Sequence, residues 1–187
     1  DDVEFAYIPC KYKRHLDKEN NYLKNIYYFN INMDIKKAAM KEIDTKDKNR
    51  FAVIKWINDY LKSVKKNTPH KGLYLSGNFG CGKTYLLSAM LNELAKSGKR
   101  VAIIYYPEFL RSLKESFNDS DELGTILQYR MEEKLPTFFT SNLTIEELEN
   151  HLSLANREVD QVKARRIIER IKQLTDSMTM ISENKRK

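Results

Sequence analysis

Within GNFGCGKT, residues 77–84, four residues stand at a spacing that suits phosphate chemistry: Gly77, Gly82, Lys83 and Thr84, in the pattern G-x-x-x-x-G-K-T. Glycines let the backbone wrap an anion with its N–H groups turned inward. A helix starting at Gly82 adds the positive end of its dipole. In such a loop the lysine reaches the β- and γ-phosphates of a nucleotide, and the final hydroxyl ligates Mg²⁺. By average composition the pattern arises by chance in on the order of one in 150 chains of this length. The bland alternative is a Gly-rich turn between a strand and a helix, with no ligand. Cys81 inside the loop reads as a small filler rather than a reactive thiol.

The surrounding elements favour the nucleotide. GLYLSG, ahead of the loop, reads as a short buried strand, and a helix follows from Lys83 to about Lys96, with Gly98 as its cap. Upstream, MDIKKAAMKEI (Met33 to Ile43) has a helical pattern with Asn32 as cap. A longer helix is expected from about Lys46 to Lys65, on the spacing of Phe51, Ile54, Trp56, Ile57, Tyr60, Leu61 and Val64. Downstream, VAIIYY (101–106) is a strand, and Pro107 opens a helix through about Ser116. Residues 121–134 read as helix, and Pro136 to Thr140 as a strand. Thr144 caps a helix through about Leu152 with Glu146 and Glu147 in its first turn. A basic helix covers Val159 to Leu174, and a last strand covers Met178–Ile181. Strands alternating with helices predict a parallel α/β sheet.

A phosphate loop alone does not specify a function. Hydrolysis also needs an acidic residue ending a second strand, to hold the magnesium shell and position water. No run of apolar residues followed by paired acids is present. Glu108 follows a proline and opens a helix; Asp121-Glu122 follows KESFNDS, which is no buried strand.

Four stretches together resemble the bacterial replicative-helicase loaders of the DnaI/DnaC type, AAA+ ATPases related to the transposition helper IstB. They are GLYLSGNFGCGKTYLL, DELGTILQYRMEEKLPTFFTSNLTIEELENHL, VKARRIIERI and SENKRK. The resemblance covers about residues 50 to 187 and is closest to the DnaI branch. It implies an AAA+ P-loop domain over 46–187, preceded by a short helical N-terminal segment over 1–45. It implies a nucleotide site of Gly77, Asn78, Gly80, Cys81, Gly82, Lys83, Thr84, Tyr85 and Arg186, with ATP as cofactor and Mg²⁺ on Thr84. It gives catalytic roles to Lys83, to Asn142 as the residue that senses the γ-phosphate, and to Arg166 as a finger acting on a neighbouring subunit's ATP. Arg170 assists, and Lys185 rivals Arg186. Taken without the family, Arg165, Arg166 and Arg170 read as a solvated helix face and Asn142 as a turn residue.

The sequence also departs from this family. There, a strand ending in paired acids precedes the segment DELGTIL and lies between the VAIIYY and LPTFFTSN strands. Here Ser120 is joined directly to Asp121. Removing a central strand leaves two buried edges with unpaired backbone groups. The sequence therefore predicts that a stretch is missing at Ser120/Asp121, with a smaller break near Ala155/Asn156. The family's zinc-binding front domain has no counterpart either, so the resemblance implies the C-terminal ATPase portion of a longer protein.

Composition fits these expectations. The net charge is +7, and the surplus lies ahead of the loop: residues 1–71 hold 16 basic and 10 acidic side chains. Such a surface suits nucleic acid or is merely solvated. Tyr105, Tyr106, Phe109, Arg111 and Lys114 are candidates for single-stranded DNA; core packing and surface charge account for them too. Cys10 and Cys81 lie too far apart in context for a disulfide framework. No membrane span or secretory signal is visible, so a cytoplasmic protein is expected. The leading function is an ATP-hydrolysing loader that places the replicative helicase on single-stranded DNA in primosome assembly. It would self-associate through the ATP site and Arg166. The alternatives are a transposition-helper ATPase, a nucleotide-dependent adaptor without hydrolysis, and a nucleotide kinase.

Overall fold

A computed structural model describes residues 21–68, 70–107, 122–153 and 158–185. The strands are β1 (Ile26–Phe29), β2 (Gly72–Ser76), β3 (Val101–Ile104), β4 (Phe138–Thr140) and β5 (Thr175–Thr179). The helices are α1 (Met33–Lys36), α2 (Lys48–Lys65), α3 (Lys83–Lys96), α4 (Glu122–Glu132), α5 (Ile145–Ser153) and α6 (Glu158–Leu174). All pairings are parallel. β2 lies between β4 and β5, and β1 pairs with β3. Among the described residues, β4 hydrogen-bonds to β2 alone and β3 to β1 alone.

β2 is buried along its whole length because both its faces are covered. Successive side chains alternate across it. Leu73 and Leu75 enter a core with Val53, Ile57 and Tyr60 of α2 and Leu86, Ala89 and Met90 of α3. Tyr74 enters the opposite core with Leu127 of α4, Ile145 of α5 and Ile168 and Ile171 of α6. Its hydroxyl donates to Leu143 O at 2.8 Å, which ties the turn after β4 to the central strand.

Local chemistry sets the helix ends. Asp47 caps α2 by accepting from the Asn49 N–H. Asn67, at φ 53°, closes it, with the Thr68 N–H reaching back to Ser63 O. At the end of α3, the Lys99 N–H bonds Leu94 O and the Gly98 N–H bonds Ala95 O, the Schellman pair. Thr144 and Glu147 form a reciprocal capping box on α5.

Three expectations change. The helix expected over Met33 to Ile43 is split into α1 and a 3₁₀ turn at Met40–Glu42. Buried Asn92 of α3 explains the break: its amide donates to Lys36 O and Ala38 O, fixing the carbonyls between the two turns. The buried stripe of α2 is Arg50, Val53, Ile57, Tyr60 and Ser63, while Phe51 is exposed. The last strand starts at Thr175, directly from α6, rather than at Met178. NIYYFNI, which reads from sequence as a short extended piece, supplies β1, hydrogen-bonded in parallel to β3 and packed with Ala95 of α3. The expected helix from Pro107, the junction at Ser120/Asp121 and the one near Ala155/Asn156 lie wholly or mainly outside the described residues.

Candidate nucleotide-binding site

β2 ends at Ser76, and the loop turns away from it at Gly77 with φ 144°. A Cβ there would stand 1.8 Å from Met180 O, so only glycine lets the chain after β5 lie against the loop. At Gly80 a Cβ would meet the Asn184 side chain at 1.9 Å. The tail is tied down further. Asn78 Nδ2 donates to Ser182 O at 2.6 Å, and the Ser182 N–H returns to Asn78 Oδ1 at 3.1 Å. The Lys185 N–H donates to Gly80 O at 2.9 Å.

Two carboxylates ahead of α2 hold the tail from the other side. Asp47 accepts from the Ser182 hydroxyl, and Asp44 pairs with Lys185 Nζ at 3.1 Å. The Ser182 hydroxyl and the Asn49 N–H hold the Asp47 carboxyl below its ordinary range. The Lys46 N–H and Lys185 do the same for Asp44. Loop, tail and the start of α2 thus form one hydrogen-bonded assembly.

Lys83 opens α3 and is buried. Its ammonium donates to Gly77 O at 2.8 Å, Asn78 O at 2.7 Å and Asn142 Oδ1 at 3.0 Å. Asn142 comes from the turn after β4, which is placed by the pairing of β4 with β2 and by a Ser141 N–H bond to Leu75 O. The structure therefore brings together Lys83 and Asn142, which are 59 positions apart in sequence. Thr84 is exposed, with its hydroxyl 3.2 Å from the Thr140 hydroxyl at the end of β4. Cys81 is fully buried and its thiol donates to Asn78 O, as a small filler does.

Other expected residues point elsewhere. The Tyr85 hydroxyl donates to Glu42 and accepts from the Ala39 N–H, so its side chain serves the upstream segment. Arg166 is exposed on α6, away from the loop's hydrogen bonds. Arg170 is bound to Gln128 and Gly124 O of α4, an internal brace between two helices. The Lys185 ammonium is occupied by Asp44. Tyr105 and Tyr106 are exposed. Arg186, Phe109, Arg111, Lys114 and Cys10 lie outside the described residues.

The site fits a polyphosphate. It has a glycine-bent loop on a helix N-terminus and a lysine whose acceptors among the described residues are carbonyl and amide oxygens and a thiol, none of them a carboxylate. For the metal, the described residues offer the Thr84 hydroxyl and no cluster of acidic or histidine ligands. Sequence reasoning missed Thr140, Ser182, Asp44, Asp47 and Arg50. Arg50 carried a signal: it stands three residues before Val53, on the stripe that α2 buries.

Comparisons with known proteins place the chain among relatives. A family model described as Nephrocystin 3, N-terminal, matches residues 54–181. The replicative helicase loader DnaI of Bacillus subtilis (strain 168) is 36% identical over 219 positions, covering 98% of this chain and 70% of that protein. That alignment is 32 positions longer than the chain, so the matched part of the relative holds at least 32 residues without a counterpart here. A crystal structure of DnaI superposes with a TM-score of 0.73 at 35% identity, covering 84% of this chain and 98% of that one. A structure described as a putative primosome component from Streptococcus pyogenes serotype M3 gives 0.77 at 29% identity, covering 90% of this chain and all of the other. The parallel sheet flanked by helices is thus the P-loop AAA+ fold. Identity at this level across nearly the whole chain, together with the matching folds, makes the chain a member of the DnaI family of replicative helicase loaders.

Proposed function

We propose that this chain is the nucleotide-driven part of a helicase loader that binds Mg²⁺–ATP on residues 77–84 and hydrolyses it. The observation that carries the reading is the convergence of Lys83, on a glycine-bent loop, with Asn142 from the end of a neighbouring strand. Membership of the DnaI family supplies the biological role, primosome assembly with the replicative helicase as partner.

In the bound state the loop's N–H groups and the α3 N-terminus would hold the phosphates. Lys83 exchanges the carbonyls of Gly77 and Asn78 for phosphate oxygens, a stronger, charge-assisted bond. Asn142 stays within reach of Lys83 and senses the terminal phosphate. Thr84 supplies a magnesium ligand. Arg166 stands on an exposed helix face, where a second subunit's nucleotide can meet it. Arg186 is assigned to the same nucleotide through the tail.

The catalytic acid is assigned to a strand in a segment between Ser120 and Asp121. Two observations support this. β3 and β4 each pair on one side only among the described residues, and the DnaI relative carries at least 32 extra residues in the matched span. Single-stranded DNA is proposed as the second ligand and the cytoplasm as the place of action. No helix among the described residues is long and apolar enough to cross a membrane.

The test is ATP binding and turnover by the intact protein, with helicase and single-stranded DNA present, beside Lys83→Ala. Binding is expected for the wild type, with a loss of at least about 30-fold in the variant, the range for truncating one partner of a desolvated charge pair. Equal affinity and equal turnover would defeat the proposal.

A further inference from the structure

Arg50 is a charged residue on the buried stripe of α2, only 4% exposed. Its Nε has no hydrogen-bond partner among the described residues, and the guanidinium's one bond to them is a long contact of Nη1 with Asp44 O at 3.5 Å. Nη2 lies 2.8 Å from the point where a Cβ on Gly82 would stand, so the guanidinium lies against the N-cap residue just ahead of α3. Gly82 itself gives that helix no side-chain cap.

A guanidinium has five N–H donors and stays charged in a protein. Burying it without a bonded anion is costly. The neighbouring carboxylates take their hydrogen bonds from other donors. Asp44 accepts from the Lys46 N–H and Lys185 Nζ; Asp47 accepts from the Asn49 N–H and the Ser182 hydroxyl. Neither carboxylate accepts from the Arg50 guanidinium. Both carboxylates feel its charge, but the cation lies beside a helix N-terminus with donors to spare and no anion bonded to it among the described residues.

The geometry points to Arg50 as a further nucleotide-binding residue, donating to a phosphate oxygen of the bound nucleotide beside Gly82. It is separate from Lys83, which acts with Asn142. The inference rests on the nucleotide reading of the loop and adds a specific contact to it. A planar fork suits a phosphate better than an ammonium does.

The experiment measures ADP affinity, inorganic pyrophosphate affinity by competition, and the nucleotide-free melting temperature of the intact protein. Wild type, Arg50→Met and Arg50→Lys are compared, with Lys83→Ala as control. R50M should weaken ADP and pyrophosphate by the same roughly 10- to 100-fold, the range for a hydrogen bond to a charged group. Its nucleotide-free melting temperature should stay close to that of wild type, because Arg50 donates to neither Asp44 nor Asp47 and acts on them only through its charge. If R50M does not fold, R50K serves: it keeps the cation without the fork, and a several-fold loss is expected. Unchanged affinity in the variant overturns the assignment. So does a loss for ADP with none for pyrophosphate, which would place Arg50 on the ribose or base. Lowered nucleotide-free melting in both variants with unchanged affinity would make Arg50 a structural clasp. If wild type binds no nucleotide, the loop reading and this inference fail together. If wild type binds, K83A does not and R50M binds as wild type, this inference alone fails.

Discussion

Lys83 is held by three oxygens, and only the Asn142 amide comes from outside its own loop. That contact separates two roles. In the proposed function the loop and the lysine bind the phosphates, whereas Asn142 senses the terminal one. Asn142→Ala should therefore leave ATP affinity within about threefold, as expected for an exposed polar contact. Turnover should fall at least about tenfold, as when a transition-state donor is removed. Rapid-quench turnover beside equilibrium titration separates the two, and equal losses in both would refute the division. Lys83 and the glycines were legible because their spacing is local. Asn142 was legible only through the family resemblance, since nothing in TSNLT distinguishes a sensor from a turn. Arg50 carried a signal for burial in its place on the α2 stripe, but its approach to Gly82, 32 positions away, is met only in the fold.

The element that positions everything is β2. Its neighbours approach so closely that a Cβ on Gly72 would lie 1.6 Å from Thr137 O, just ahead of β4. Gly72→Ala must push β4 away from β2 and carry Asn142 off the loop. Overpacking at a backbone contact costs about 1–3 kcal/mol or more, so urea denaturation should show at least that loss. An unchanged midpoint would mean the two strands are not paired there. Element types were largely readable from periodicity and caps: the capping box at Thr144 and the glycine after α3 fall where the sequence marks them. The split between α1 and the turn at Met40 was not readable, because its cause is a side chain on α3 that takes the intervening carbonyls. The place of β1 was equally hidden, since strand pairing across 75 positions leaves no local trace.

At the scale of the whole molecule, the described residues form one parallel three-stranded sheet and one parallel pair, joined to a common helix layer on α3. The proposed acidic strand, from a segment between Ser120 and Asp121, would enter the sheet between β3 and β4. Peptide mapping of the intact protein checks this. Trypsin should yield no peptide running from Glu115 through Ser120-Asp121 to Arg130 as one contiguous stretch, and recovery of that peptide would show that the chain has no such strand. Without it, nucleotide binding could survive but hydrolysis could not be assigned to this site.

The most direct measurement is loading itself. The cognate replicative helicase is mixed with closed circular single-stranded DNA carrying an annealed strand, and displacement of that strand is followed with ATP and either the intact wild-type protein or K83A. Rapid displacement is expected with wild type, and displacement with K83A no faster than with helicase alone. Equal rates with wild type, with K83A and without either would rule out loading driven by the nucleotide on residues 77–84.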